Sequence, residues 1–216
     1  MTAGAIFDVD GVLLDSMPVW NQAGELYLKS LRIPPGPDLG KIMFTMSMQE
    51  GAAYLLKHYP IAGLTEAEVR DGINKTIQDF YFYKAPLKPG VQPFLSRLYQ
   101  RGIPMTIATS SDRVIIEAAL KRTGIRRYFS GIFTCSETGK GKDQPDIYLE
   151  AASRMQTEPK DTWVFEDALH ALATAKEAGF LCVGVYDEAS KEAQPDIARL
   201  SDIYIKHFTE LTPEQM

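Results

Sequence analysis

Short apolar runs alternate with helical segments over most of this chain, and that alternation restricts the fold more than any other feature. GAIFDV (4–9), IPMTIAT (103–109), GIFT (131–134), TWVFE (162–166) and FLCVGVY (180–186) read as buried strands, with DIYI (202–205) as a weaker sixth. Helices lie between them. In DRVIIEAALKRTG, Val114, Ile115, Ala118 and Ala119 recur at helical spacing, and Gly124 marks the stop. PDIYLEAASRM carries Pro145 at its first turn, and DALHALATAKEAG ends in Gly179, a residue suited to the position just past a helix. Strands joined through helices form right-handed crossovers, so the expected fold class is α/β, with a parallel sheet covered on both faces.

One stretch breaks the alternation. Between residue 16 and about residue 85 no segment reads convincingly as a strand. SMPVWNQAGELYLKSL places Val19, Trp20, Ala23, Leu26 and Tyr27 on one helical face, and SMQEGAAYLLKHY (47–59) predicts a second helix. TEAEVRDGINKTIQDFYFYKA opens on the capping box Thr65-x-x-Glu68 and carries Val69, Ile73, Ile77 and Phe80 as one stripe. PPGPD (34–38) reads as a loop, and PLKPG (86–90) marks the return to the alternating pattern. The expected organisation is a core made of residues 1–15 and 86–216, with an all-helical domain, 16–85, inserted after the first strand.

Composition narrows the partners. The chain has 28 acidic and 23 basic residues, a net charge of −5, which gives no reason to expect nucleic acid or an anionic membrane surface. No apolar run approaches the roughly 18–20 residues that span a bilayer. Residues 1–9 lack a basic segment and Asp8 and Asp10 interrupt any signal-like stretch, so a cytosolic location is the expectation; a monomer is the default for the oligomeric state, on which the sequence is silent. Cys135 and Cys182 form no C-x-x-C pair and read as two free thiols. His58, His170 and His207 are scattered along the chain. His170, three residues after Asp167, falls on the same side of its helix and reads as a surface residue or as a neighbour of the site.

The chemistry starts at FDVDGVLLDS (7–16). Were the first strand to reach Asp10, Asp8 and Asp10 would share one face, and their repulsion would need a proton, a metal ion or a basic side chain to offset it. In an open parallel sheet, ligands bind beyond the carboxyl ends of the strands. There the second core strand presents Thr109, Ser110 and Ser111, and the loop TGKGKDQPD presents Lys140 and Lys142. The fourth strand ends on Glu166 and Asp167. Each piece has an ordinary reading: turn chemistry, a helix cap, a solvated charge. Together they suit a divalent cation held by acids beside a phosphate held by hydroxyls and ammonium.

The same residues carry a family resemblance. DVDGVLLDS is similar to the first motif of the haloacid dehalogenase superfamily, in particular the branch of β-phosphoglucomutase and small sugar phosphatases. Thr109 closing MTIAT, Lys142 in GKDQPDIYLEAA and the stretch VFEDALHALATAKEAG match the second, third and fourth motifs; Asp143 and Gln144 vary the usual third motif. The resemblance implies a Rossmann-like parallel-sheet core with residues 16–85 as a helical cap. It implies Asp8 as nucleophile forming an aspartyl-phosphate, and Asp10 as general acid and base. Thr109 and the Ser110 backbone N–H would hold phosphoryl oxygens, and Lys142 would neutralise charge. Asp8, the Asp10 carbonyl and Asp167 would bind Mg²⁺, with Glu166 in support. The expected partner is a small phosphorylated metabolite of the sugar-phosphate class.

A hexose-phosphate mutase would use the same aspartyl-phosphate. β-Phosphoglucomutase-like proteins carry a cap His where this chain has Trp20, and a cap Arg whose nearest counterpart, in TMSMQ, is Met48. Trp20 and Met48 therefore enter as substrate-facing residues that supply apolar area rather than contacts for a second phosphate. The expectation is a phosphatase.

Overall fold

The computed structural model describes residues 2–43, 46 and 48–216. Its contacts divide the chain into two compact units: the stretch up to Asp15 together with Ala85–Met216, and Ser16–Lys84. Ala85, expected at the end of the insert, falls in the core unit.

The core unit is built on six strands: β1 (Gly4–Phe7), β2 (Met105–Thr109), β3 (Gly131–Thr134), β4 (Thr162–Glu166), β5 (Leu181–Val185) and β6 (Ile203–Ile205). All neighbours pair in parallel, in the order β3-β2-β1-β4-β5-β6, so β1 and β4 lie at the centre. Every expected strand is present. β1 is shorter than GAIFDV suggests and stops at Phe7, so Asp8 and Asp10 lie past its end rather than along its face. There Val9 accepts the N–H groups of Leu13 and Leu14, and a short bridge pairs Asp10 with Leu14. The tight loop, not a pleat, sets where the two acids sit.

Strand alternation gives the sheet two apolar faces. Ile6, Val164, Cys182 and Ala108 pack with Ile147, Tyr148, Ala151, Leu172, Ala175 and Ile197. The opposite face carries Phe7 stacked on Phe165, with ring centroids 4.3 Å apart, and Phe165 is flanked by Phe94 and Phe208. Burying both faces explains why these strands read as continuous apolar runs.

Among the described residues, the regular structure of the Ser16–Lys84 unit is all helical: α1 (Met17–Ser30), α2 (Leu39–Met43), α3 (Met48–His58) and α4 (Glu66–Tyr83). The Thr65 capping box forms, its hydroxyl accepting the Glu68 N–H while a Glu68 carboxylate oxygen accepts the Thr65 N–H. Val69, Ile73 and Ile77 are buried, and Tyr81 rather than Phe80 completes the stripe. In α1, Val19, Ala23 and Tyr27 are buried, whereas Trp20 is 43% exposed. Leu26 is half-buried. Ser47, taken into the second helix by the pattern, and Thr45 of TMSMQ lie outside the described residues.

The remaining helices belong to the core unit: α5 (Val91–Gln100), α6 (Arg113–Arg122), α7 (Cys135–Thr138), α8 (Asp146–Met155), α9 (Leu169–Glu177) and α10 (Gln194–Leu200). In α6 the buried residues are Ile115, Ile116, Ala119 and Leu120. Val114 is 71% exposed, against the sequence reading, because the helix is turned by one residue from the stripe that the apolar pattern suggests. No described helix is long and apolar enough to cross a membrane.

Candidate active site at the carboxyl ends of the strands

Three strand ends bring the acids together. Asp8 follows β1 and donates its N–H to the Phe165 carbonyl at 3.0 Å, which fixes it beside the end of β4. Glu166 closes β4 and Asp167 follows it. Asp8, Glu166 and Asp167 are buried and offer carboxylate oxygens that all lie within 4.8 Å of one another. Such a cluster repels itself unless positive charge or protons enter.

Lys142 supplies one positive charge. Its loop joins α7 to α8, passing through Gly139 at a φ of 71°. Although Lys142 comes from a loop rich in polar residues, it is only 6% exposed. Its Nζ donates to Asp8 Oδ1 at 2.5 Å and to Glu166 Oε1 at 2.6 Å. Burial alone would lower the Lys142 pKa, but Asp8 and Glu166 outweigh it and hold the ammonium above the ordinary lysine value. Lys140, from the same loop, is exposed and pairs with Asp146 at 2.7 Å.

Even with Lys142 present, the carboxylates are under-compensated. Burial pushes the Asp8 carboxyl up, Lys142 pulls it down, and Glu166 and Asp10 push it up again, leaving it at about 8. Asp167 is raised well above the carboxylate range by burial first and by Asp8, Glu166 and Asp187 next. A divalent cation fits this arrangement, because hard oxygen donors converge and their charge exceeds what Lys142 offsets.

The hydroxyl end is assembled by β2. Thr109 is fully buried, and its Oγ1 accepts the Ser111 N–H at 3.1 Å. Ser111 Oγ donates to Asp10 Oδ2 at 2.6 Å, so the β2 turn holds the second acid. Ser110 is exposed, with its Oγ 3.4 Å from Cys135 Sγ. His170 is exposed on α9, which agrees with its surface reading.

Gly11 is required next to Asp10. Its φ is +75°, and a Cβ there would stand 2.2 Å from Asp167 Oδ2, so only glycine lets the loop press against that carboxylate. Two partners escaped the sequence reading. Tyr148 OH donates to Glu166 Oε1 at 2.8 Å; a phenol on the buried stripe of α8 is its only sequence signal. Asp187, past β5, is 5% exposed and pairs with Lys88 at 2.9 Å, and nothing in the local pattern marks Asp187 or Lys88.

In the helical unit, Trp20 and Met48 line one cavity of about 230 Å³ together with Met43, Met46 and Ile73. The Trp20 indole N–H donates to Tyr81 OH at 3.2 Å, which leaves the ring face for packing.

A parallel α/β core whose strand ends gather buried acids around a buried ammonium is an arrangement that suits an enzyme site. The comparisons narrow the class. Residues 2–179 match the haloacid dehalogenase-like hydrolase model. The chain is 30% identical to a protein named "Probable pseudouridine-5'-phosphatase" from Drosophila melanogaster, over 94% of this chain and 92% of that one. It is 27% identical to the β-phosphoglucomutase of Bacillus subtilis, over 97% of this chain and 91% of that one. A solved HAD hydrolase (family IA, variant 3) from Entamoeba histolytica shares the fold at a TM-score of 0.74, with 22% identity, covering 100% of this chain and 97% of that one. The chain belongs to the haloacid dehalogenase-like hydrolases.

Proposed function

We propose that the chain is a Mg²⁺-dependent phosphatase acting on a small phosphorylated metabolite of the sugar-phosphate class. The observation that carries this reading is the buried group of Asp8, Glu166 and Asp167 joined by Lys142 at the sheet's carboxyl ends.

In this reading, an Asp8 carboxylate oxygen attacks phosphorus. The bond from phosphorus to the leaving oxygen breaks, and Asp10 gives that oxygen a proton. Water then attacks the aspartyl-phosphate while Asp10 takes a proton back, releasing inorganic phosphate and restoring Asp8. Ser111 Oγ, bonded to Asp10, orients that acid. Thr109 and the Ser110 N–H bind phosphoryl oxygens, and Lys142 balances charge on Asp8 and the transferred group. Asp8, the Asp10 carbonyl and Asp167 would hold Mg²⁺, with Glu166 in support. When bound, the ion supplies charge stabilisation to the phosphoryl oxygens.

Ser16–Lys84, joined to the rest by two chain segments, is read as the helical cap that the family resemblance implies. The Trp20–Met48 cavity supports a leaving group with apolar surface. A cytosolic location suits the two free thiols.

The mutase relative makes isomerisation the second reading. A mutase must hold a second phosphate, and a phosphate desolvated against Trp and Met would lack compensation. A panel of phosphorylated metabolites, scored by released phosphate, identifies the substrate. β-Glucose 1-phosphate with catalytic glucose 1,6-bisphosphate separates the two readings. Release of phosphate or no reaction fits the phosphatase, and efficient formation of glucose 6-phosphate overturns it.

A further inference from the structure

Lys88 takes no part in the chemistry above, yet it is as constrained as Lys142. It follows the second crossing between the units, its side chain is 11% exposed, and its Nζ has three acceptors. These are the Gly11 carbonyl at 2.6 Å, the Tyr186 carbonyl at 2.6 Å and Asp187 Oδ2 at 2.9 Å. An ammonium has three N–H donors, so all of them are used. The Lys88 backbone N–H adds a bond to the Leu13 carbonyl at 3.0 Å. Asp187 is itself held, with Oδ1 accepting the Ala189 N–H at 2.9 Å.

These contacts converge on the residue after Asp10. The Gly11 N–H donates to the Leu14 carbonyl, its Cα lies against the Asp167 carboxylate, and its carbonyl is gripped by Lys88. The carboxylate of Asp10 is held from the other side by Ser111. Lys88 thus ties the loop after β1, 77 residues before it, to the end of β5, 98 residues after it, at the residue that follows Asp10.

We propose that Lys88 is a positioning residue: by tying Gly11 to Tyr186 and Asp187, it sets the direction from which Asp10 delivers its proton to the leaving group. This rests on the phosphatase reading above. Removing Lys88 leaves Asp10 present but poorly aimed, so the loss depends on how much the leaving group needs a proton. A p-nitrophenolate leaves readily without one, whereas an unsubstituted phenolate is a poorer leaving group.

The test compares kcat/KM, which reports phosphoryl transfer, for p-nitrophenyl phosphate and phenyl phosphate in the full chain with Mg²⁺. The Lys88→Met variant should lose about tenfold or more on phenyl phosphate, part of the about 10²–10⁴-fold that a positioned acid supplies. On p-nitrophenyl phosphate it should lose no more than about threefold by the same argument. Asp187→Asn, which leaves the ammonium and its two carbonyl acceptors in place, should shift the same ratio in the same direction by a smaller factor. It also carries the test should Lys88→Met fail to fold. Equal losses on both esters, or no loss, in a folded variant overturn the proposal while leaving the phosphatase reading intact. A wild-type chain that turns over neither ester overturns that reading, and the role of Lys88 with it.

Discussion

Replacing Lys142 by Met tests the electrostatic logic of the site most severely. Lys142 Nζ bonds Asp8 at 2.5 Å and Glu166 at 2.6 Å, and all three side chains are less than a tenth exposed. Met keeps the apolar stem and removes the charge, leaving buried carboxylates beside Asp167 without their ammonium. Removing one partner of a buried ion pair costs about 3–5 kcal/mol. In a chain of 216 residues, each kcal/mol moves the melting temperature by about 2–4 °C. Together these give a fall of about 6–20 °C. The cost should depend on pH with a definite sign. Asp8 already has a raised pKa, and losing Lys142, which lowers it, raises it further. The folded variant therefore binds protons that the unfolded chain releases above about pH 4, and its stability rises as pH falls. Thermal unfolding in EDTA at about pH 8 and about pH 5.5, followed by circular dichroism, should show the deficit against wild type narrowing at the lower pH. A deficit below about 1 kcal/mol, or one that does not change with pH, would refute the reasoning.

Metal and pH should be linked in the unaltered protein. Burial raises both Asp8, to about 8, and Asp167, so the metal-free fold loses stability as pH rises from about 4 to about 8, where the unfolded chain has already released these protons. Mg²⁺ should therefore raise the melting temperature more at about pH 8 than at about pH 6; an equal increment at both would count against the acid cluster as its site. Gly11→Ala should destabilise the fold by at least about 1–2 kcal/mol from the positive φ alone. It should also weaken Mg²⁺ binding, because its Cβ would meet Asp167 Oδ2 at 2.2 Å. Chemical denaturation and a Mg²⁺ titration of the variant measure the two effects.

The sheet was legible because its strands are buried on both faces. Runs such as AIF and WVF have no polar side to confuse the pattern, and β1 was overextended only where Val9 continues the apolar run into the loop. Helical faces were harder. In VIIEAAL nearly every position is apolar, so the periodicity could not distinguish a stripe through Val114 from one through Ile116, and packing chose the second. In α1, Trp20 lies beside the buried stripe but stays 43% exposed, with its N–H on Tyr81. At the site, Asp8, Asp10, Glu166 and Asp167 were marked by short spacings at strand ends. Separating Lys142, which is buried, from Lys140, which is not, needed the family resemblance, since both are lysines in one polar loop. Tyr148, Asp187 and Lys88 stayed hidden, because their partners lie 18, 99 and 77 residues away in sequence and only the folded sheet brings them together.

The central claim is that Asp8 carries the chemistry, and its most direct test is the rate of phosphate release by Asp8→Asn beside wild type at saturating Mg²⁺, on the best substrate of the metabolite panel. Asn keeps the shape of Asp8 but has neither the nucleophilic carboxylate nor its charge. Wild type should show metal-dependent turnover, and a variant whose circular dichroism spectrum matches wild type should release phosphate only at the buffer background. A folded Asp8→Asn chain that keeps a rate close to wild type would contradict the claim.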